Sequence, residues 1–268
     1  MELRSIAHLQ IPVIGMGTSE TFDVEDGQIP SRRALTDTLL AAGGALFDSS
    51  PMYGKSERAL GEALGDRRSE AIIATKVWTE DDGEAARQIA ASLRFYGGKV
   101  ELFQIHNLVQ WETRLRQLEE QRELGTISSI GATHWRKEAF DDLEVVMRTG
   151  RIEFVQIPYN PIEREVEQRI LPLAADLGLG VLIMRPFAKA SLLGAAPSAE
   201  ELAPLAAFGV HSWPQALLKW GLSDLRTTAS IPATSRPERA ADHAAAGSGP
   251  WLDAEARELV ARLARPIG

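Results

Sequence analysis

Short apolar runs rich in β-branched residues recur at wide intervals along the chain: IPVIGMG near residue 11, ALFD at 45, AIIATKV at 71, VELFQIH at 100, TISSIGA at 126, FVQIPY at 154, GVLIM at 180 and TTASIP at 227. Runs that are continuously apolar, without alternation, read as strands covered on both faces, as in a parallel sheet flanked by helices. Between them lie segments with helical apolar spacing. Ser31 opens a helix that runs to about Ala42, where Gly43 and Gly44 stop it; residues 84–96, 112–124, 136–147 and 163–177 repeat the pattern, and Asp253 to Arg265 reads as a last helix. Eight strand-and-helix units in this order predict an α/β fold, a (β/α)8 TIM barrel, because right-handed crossovers leave few competing topologies. An open doubly wound sheet is the alternative, but no G-x-G-x-x-G follows the first strand, which removes the main reason for choosing it. The stretches GSGP and residues 192–204, LLGAAPSAEELAP, read as surface loops without linker character, so residues 1–268 are expected to form one barrel domain.

Composition narrows the partners. The chain of 268 residues is 44% hydrophobic and 25% charged, which suits a folded globular protein and disfavours disorder. A formal charge of -8 repels a nucleic-acid backbone, so any anionic ligand must be met by a local cluster of Arg or Lys. The absence of cysteine excludes disulfides, thiolate catalysis and cysteine-containing zinc sites. The opening MELRSIAHLQIP has no apolar signal region, and no window of about 18 apolar residues occurs, so the expectation is a cytoplasmic protein without membrane or nucleic-acid partners. A monomer or weak homo-oligomer is the default assembly.

Barrel chemistry collects where strands end, so ionisable residues there carry more functional weight than the same residues on helices. The second strand ends in Asp48 and runs into a loop holding Tyr53, the third ends in Lys76, and the fourth in His106. Singly, each has a structural explanation: a loop cap, a packed aromatic, a snorkelling lysine, a hydrogen-bonded core histidine. Jointly they do not, because an aspartate and a lysine converging at a barrel mouth must pair or carry a desolvation cost of roughly several kcal/mol per ion. Carbonyl reduction suits the set. A tyrosine hydroxyl can protonate the oxygen as hydride reaches carbon. A neighbouring ammonium favours phenolate and should bring the phenol's pKa down from about 10, with Asp48 holding the lysine charged. His106 can donate a second hydrogen bond and orient the carbonyl.

These motifs resemble the aldo-keto reductases over essentially the full length, from IPVIGMGT to IPATSRPER. LFDSSPMYGKSE is similar to the family's Asp-and-Tyr signature, ATKV to its lysine strand and LFQIHN to its histidine strand. The resemblance implies a catalytic tetrad of Asp48, Tyr53, Lys76 and His106, with Tyr53 as general acid in reduction, and an NADP(H) cofactor, with NAD(H) as the alternative. Thr133 and His134 stand where the family often has Ser-Asn, as in a bacterial subgroup, Gln156 is expected beside the nicotinamide carboxamide, and Thr18 and Asp48 are further cofactor-binding candidates. After the seventh strand, Met184 and Arg185 replace a frequent Tyr-Ser; Arg185, Pro186 and Phe187 are expected to line the phosphates. SIPATSRPERAADH resembles the 2'-phosphate loop followed by a helix start, where free N–H groups favour anions. It supplies Ile231, Thr234, Ser235, Arg236 and Arg239, with Asp242 and His243 at the adenine; Ala233 replaces a frequent lysine.

The five histidines show no metal-ligand spacing, so no metal is expected. Phe22, Trp78, Trp111 and Trp135 follow strands and are candidate walls of a pocket for a small carbonyl substrate. Two rival functions remain at this stage: a Schiff-base lyase using Lys76, and a catalytically silent regulatory barrel that keeps its cofactor.

Overall fold

A computed structural model describes residues 1–264; Arg265, the expected end of the last helix, lies outside the described residues. The chain opens with an antiparallel hairpin, β1 (Leu3–Ile6) and β2 (Leu9–Pro12), turning at Ala7 with a φ of 48°. Eight parallel strands follow: β3 (Met16–Gly17), β4 (Leu46–Asp48), β5 (Ile72–Val77), β6 (Val100–His106), β7 (Ile127–Thr133), β8 (Phe154–Pro158), β9 (Gly180–Met184) and β10 (Ala229–Ser230). Each pairs with its neighbours in sequence order. Parallel bridges Ile14 to Ser230 and Gly17 to Ala233 join the first to the last, with Gly15 N–H donating to Ser230 O at 2.8 Å, so the sheet closes into a (β/α)8 barrel.

The expected first strand, IPVIGMG, is therefore two elements. Pro12 ends the hairpin and only Met16 and Gly17 belong to the barrel ladder. The outer helices are α1 (Ile29–Ala41), α2 (Ser56–Leu64), α3 (Asp82–Phe95), α4 (Trp111–Glu123), α5 (Phe140–Met147), α6 (Ile170–Leu177), α7 (Ala199–Leu202), α8 (Trp213–Leu222), α9 (Pro237–Ala245) and α10 (Ala254–Leu263). α1 starts two residues before Ser31, with Pro30 in its first turn, where the missing N–H costs nothing. α2 comes so close to α3 that a Cβ at Gly61 would collide with the Phe95 carbonyl oxygen. None of the helices among the described residues is long and apolar enough to cross a membrane.

Two apolar layers result. The larger lies between strands and helices; the smaller fills the barrel, with Leu46, Ala74, Leu102, Phe154, Leu182 and Ala229 contributed by six different strands and Ile6 and Ile11 of the hairpin closing its lower end. Gly180 makes room for the hairpin, since a Cβ there would strike Ile6. Strand side chains alternate with a period of two, so the residue two places beyond each interior apolar residue also points inward, one layer nearer the strand exits. Leu46 leads to Asp48, Ala74 to Lys76, Leu102 to Gln104 and then His106, and Phe154 to Gln156. A dry lower layer and a polar upper layer follow from one alternation.

Candidate active site

The upper layer forms the floor of a cavity of about 890 Å3, lined by Asp48, Tyr53, Lys76 and His106 and extending past β9 to the loop after β10. That volume matches a site for a ligand of several hundred daltons, on the order of 300–1,000 Å3.

Lys76 and Asp48 are almost fully buried. All three ammonium protons are engaged, by Asp48 Oδ1 at 2.7 Å, Asp48 Oδ2 at 2.8 Å and the Ser49 carbonyl oxygen at 2.7 Å. Burial alone would lower the Lys76 pKa, but Asp48, with Tyr53 and Glu57, holds it above the usual lysine value. Burial raises Asp48 against the pull of Lys76 and the donated hydrogen bond of Gln104 Nε2, 3.3 Å away. Lys76 Nζ lies 5.3 Å from the centre of the Tyr53 ring, and the Tyr53 and His106 rings meet edge to face at 6.0 Å.

The expectation that Lys76 lowers the Tyr53 pKa needs correction. Burial dominates and raises the phenol above its ordinary value, because a phenolate loses more hydration than a phenol; the Lys76 charge opposes this without overcoming it. His106 is pushed down to about 3, by burial first and then by Lys76, so its ring is neutral. Its Nδ1 lies 3.1 Å from Ser50 Oγ, which already accepts from Met52 N–H at 3.2 Å. With the Ser50 hydroxyl donating to Nδ1, the neutral ring would keep Nε2–H as its donor toward the cavity.

Other expected residues divide into two groups. Thr133, Gln156, Arg185, Pro186, Phe187, Ile231, Thr234, Ser235, Arg239, Asp242, His243 and Trp135 all line the cavity. His243, buried against Phe187 with ring centres 5.2 Å apart, is pushed down to about 4, chiefly by burial, and is neutral. Thr18, His134, Arg236, Phe22, Trp78 and Trp111 are not among its lining residues. Thr18 turns its hydroxyl to Ser49 Oγ at 2.9 Å beneath the loop, whose next residues, Ser19, Glu20 and Thr21, face the cavity instead. His134 follows the inward-facing Thr133, so alternation sends it the other way, where Nδ1 accepts from Arg136 N–H at 3.0 Å. Arg236 is the exposed N-cap of α9, and Arg239, three residues on, reaches the cavity.

The three aromatic exclusions have equally local causes. Phe22 N–H donates to Thr18 O at 3.0 Å, and this turn folds the ring into the outer core at 0% exposure. Trp78 is tied by its backbone to the Gln88 side chain of α3 and faces solvent. Trp111 starts α4 and packs on the outer core.

Sequence reading missed Glu57, Ser50 and Lys189. Glu57, on α2, is buried behind the barrel wall on the opposite face from Lys76, accepting from Thr75 Oγ1 at 2.6 Å and Ser92 Oγ at 2.7 Å. Its spacing from Leu60 and Leu64, three and seven residues on, marks one helix face and was the available signal.

The cavity also holds groups without protein partners. Gln156 Oε1 is buried yet accepts no hydrogen bond from a described residue. An amide N–H brought into the cavity would satisfy it. At the other end, exposed Arg239 presents positive charge on the first turn of α9. A nicotinamide carboxamide and a 2'-phosphate match these two ends in donor chemistry and sign of charge. Among the described residues, no group of three or more His, Asp or Glu side chains could hold a metal ion.

Comparison with known proteins agrees with this architecture. The model of the Aldo/keto reductase family matches residues 13–263. The chain is 29% identical over 217 residues to the aldo-keto reductase YhdN of Bacillus subtilis, an alignment covering 72% of this chain and 64% of that protein, just under two thirds of its length. It is 28% identical over 298 residues to the uncharacterized oxidoreductase Rv2298 of Mycobacterium tuberculosis, covering 96% of this chain and 92% of the relative. In fold it superimposes with a TM-score of 0.81 and 22% identity on an aldo-keto reductase of Klebsiella pneumoniae solved in complex with NADPH, over 99% of this chain and 95% of that one.

Proposed function

Since the chain belongs to the aldo/keto reductase family of oxidoreductases, we propose that it reduces an aldehyde or ketone to the alcohol with NADP(H), using Tyr53 as general acid. The observation that carries this reading is the convergence of Tyr53 and His106 over the buried Lys76–Asp48 pair at the floor of the cavity. When bound, NADPH supplies the hydride that reaches the carbonyl carbon. Thr133 and Gln156 would hold its carboxamide, and Thr234, Ser235 and Arg239 its 2'-phosphate, which favours NADP(H) over NAD(H).

The chain's own residues handle the proton. Tyr53 gives its hydroxyl proton to the carbonyl oxygen, and the phenolate left behind faces the Lys76 ammonium before water reprotonates it. Opposite charge at that spot is worth most where water is excluded. Neutral His106 donates from Nε2 to the same oxygen and fixes its direction. The raised Tyr53 pKa makes this support necessary: without Lys76, burial would disfavour the phenolate further. Imine formation needs an unprotonated amine, whereas Lys76 has its three N–H groups occupied and a raised pKa, which argues against the Schiff-base alternative.

The test is oxidation of NADPH with a panel of aldehydes, ketones and quinones by the native protein and by Tyr53→Phe. Loss of roughly 10²- to 10⁴-fold in kcat is expected. Turnover that survives the substitution intact would remove Tyr53 from the mechanism, and a borohydride-trapped adduct on Lys76 would replace it with imine chemistry.

A further inference from the structure

We propose that the substrate is an anionic carbonyl compound, one bearing a carboxylate or phosphate group, and that Arg185 receives this charge; the inference rests on the reductase reading above. Arg185 is the first residue past β9, with a φ of 54° and its carbonyl oxygen accepting from Asn160 Nδ2 at 2.9 Å. Left-handed backbone at a non-glycine residue costs on the order of 1 kcal/mol and persists where surrounding contacts impose it. Here it is accompanied by a guanidinium laid over the Trp135 ring, 4.4 Å from the ring centre, at the cavity wall.

That guanidinium is half-buried, which lowers its pKa, yet it makes no hydrogen bond or ion pair with any described residue. Glu163, the acid whose charge it feels most, already accepts from Asn160 Nδ2. An arginine stacked by one face on an indole keeps the edges of its fork free for a planar oxyanion. Lys189, exposed and without an ion-pair partner among the described residues, lies 5.8 Å from the same ring centre and adds a second positive charge at the cavity wall.

Position separates this cation from Arg239. Arg185 directly follows β9 and lies over Trp135, just past the end of β7, whereas Arg239 stands beyond β10 on α9. The acids of the cavity do not neutralise it. Asp48 is paired with Lys76, and both oxygens of Asp242 accept from Ser212 and Gln215; Glu20 is exposed at the cavity lining.

A phosphate of the cofactor offers the same chemistry as a substrate carboxylate, so the experiment has two arms. The first measures kcat and KM with 4-carboxybenzaldehyde and with its methyl ester, for the native protein and for Arg185→Met and Arg185→Lys. The second measures NADPH binding to each protein by fluorescence titration. The native protein should prefer the carboxylate, and Arg185→Met should lower the carboxylate-to-ester ratio of kcat/KM by roughly 10- to 100-fold, mainly through KM, as loss of a charged hydrogen bond predicts. Arg185→Lys should fall between. An unchanged ratio overturns the proposal, and if NADPH binding weakens instead, the cation serves the cofactor's phosphate. A native protein that reduces the ester as well as the acid also overturns it while leaving the reductase reading intact. Turnover of neither aldehyde, nor of any carbonyl in the wider panel, sinks the reductase reading itself.

Discussion

Replacing Glu57 by Gln should change how the stability of this protein depends on pH, and the size of the change follows from where the carboxyl lies. Glu57 is 4% exposed, and burial, partly offset by the hydroxyls of Thr75 and Ser92 and by the charge of Lys76, pushes it up from 4.5 to about 7. A folded-state value above the unfolded one means that the native state favours the protonated acid. Its stabilising contribution is complete below pH 4.5 and is lost as pH rises through about 7. The difference between those two values converts to roughly 3.5 kcal/mol well above neutrality, and roughly 2 kcal/mol accrues between about pH 5.5 and 8. Glutamine keeps a carbonyl oxygen for the two hydroxyls and cannot ionise. Urea unfolding of the native and Glu57→Gln proteins at several pH values isolates this group, because the other titrations are common to both. The variant's stability relative to native should rise by roughly 2 kcal/mol across that range. Parallel curves would refute the argument and show that Glu57 titrates as an ordinary carboxylate.

Arg239→Ala should weaken NADPH binding roughly tenfold, an exposed charge contributing at the lower end for charged hydrogen bonds, and leave NADH binding nearly unchanged; equal affinities for NADPH before and after substitution would dissociate Arg239 from the 2'-phosphate. Phe154→Ala should cost about 3–5 kcal/mol in urea unfolding, since the ring is fully buried inside the barrel and packs against Gly131, which offers no side chain to close the gap. A loss below about 1 kcal/mol would mean that the lower layer rearranges freely around the void.

Much of the barrel was legible because parallel strands buried on both sides leave unbroken apolar runs, and β4 to β10 lie within the runs read from the sequence except that β7 continues one residue further, to Thr133. β3 was not separable from β2, since a two-residue strand between Pro12 and the first loop has no periodicity of its own. Asp48, Lys76 and His106 could be picked out because each lies at a strand's last residue or the one before it, and the alternation that buries Leu46, Ala74 and Leu102 also turns them inward. The same rule, carried one residue further, would have turned His134 away from the cavity. Phe22 and Trp78 do not line the cavity because loop backbone, tied by Thr18 and Gln88, decides where those rings go, and Trp111 because it starts α4 and packs on the outer core. The Tyr53 pKa was misjudged for a different reason: pairing charges can be inferred from residue types, whereas the depth of burial that outweighs them cannot.

The hairpin that seals the lower end of the barrel has a consequence for assembly. Arg4 donates to the Thr227 carbonyl oxygen at 2.8 Å and stacks on Trp251, Glu2 N–H donates to Gly247 O at 2.7 Å, and Trp251 Nε1 donates to Glu2 Oε2 at 2.7 Å. These partners lie more than two hundred residues further along the chain, so the hairpin waits unmatched while the intervening strands and helices are synthesised. Closing so large a loop adds only modest entropy for its length, but it orders events: the cylinder cannot be capped until its final strand has arrived, and a nascent chain stalled before that point would leave Ile6 and Ile11 without their seat.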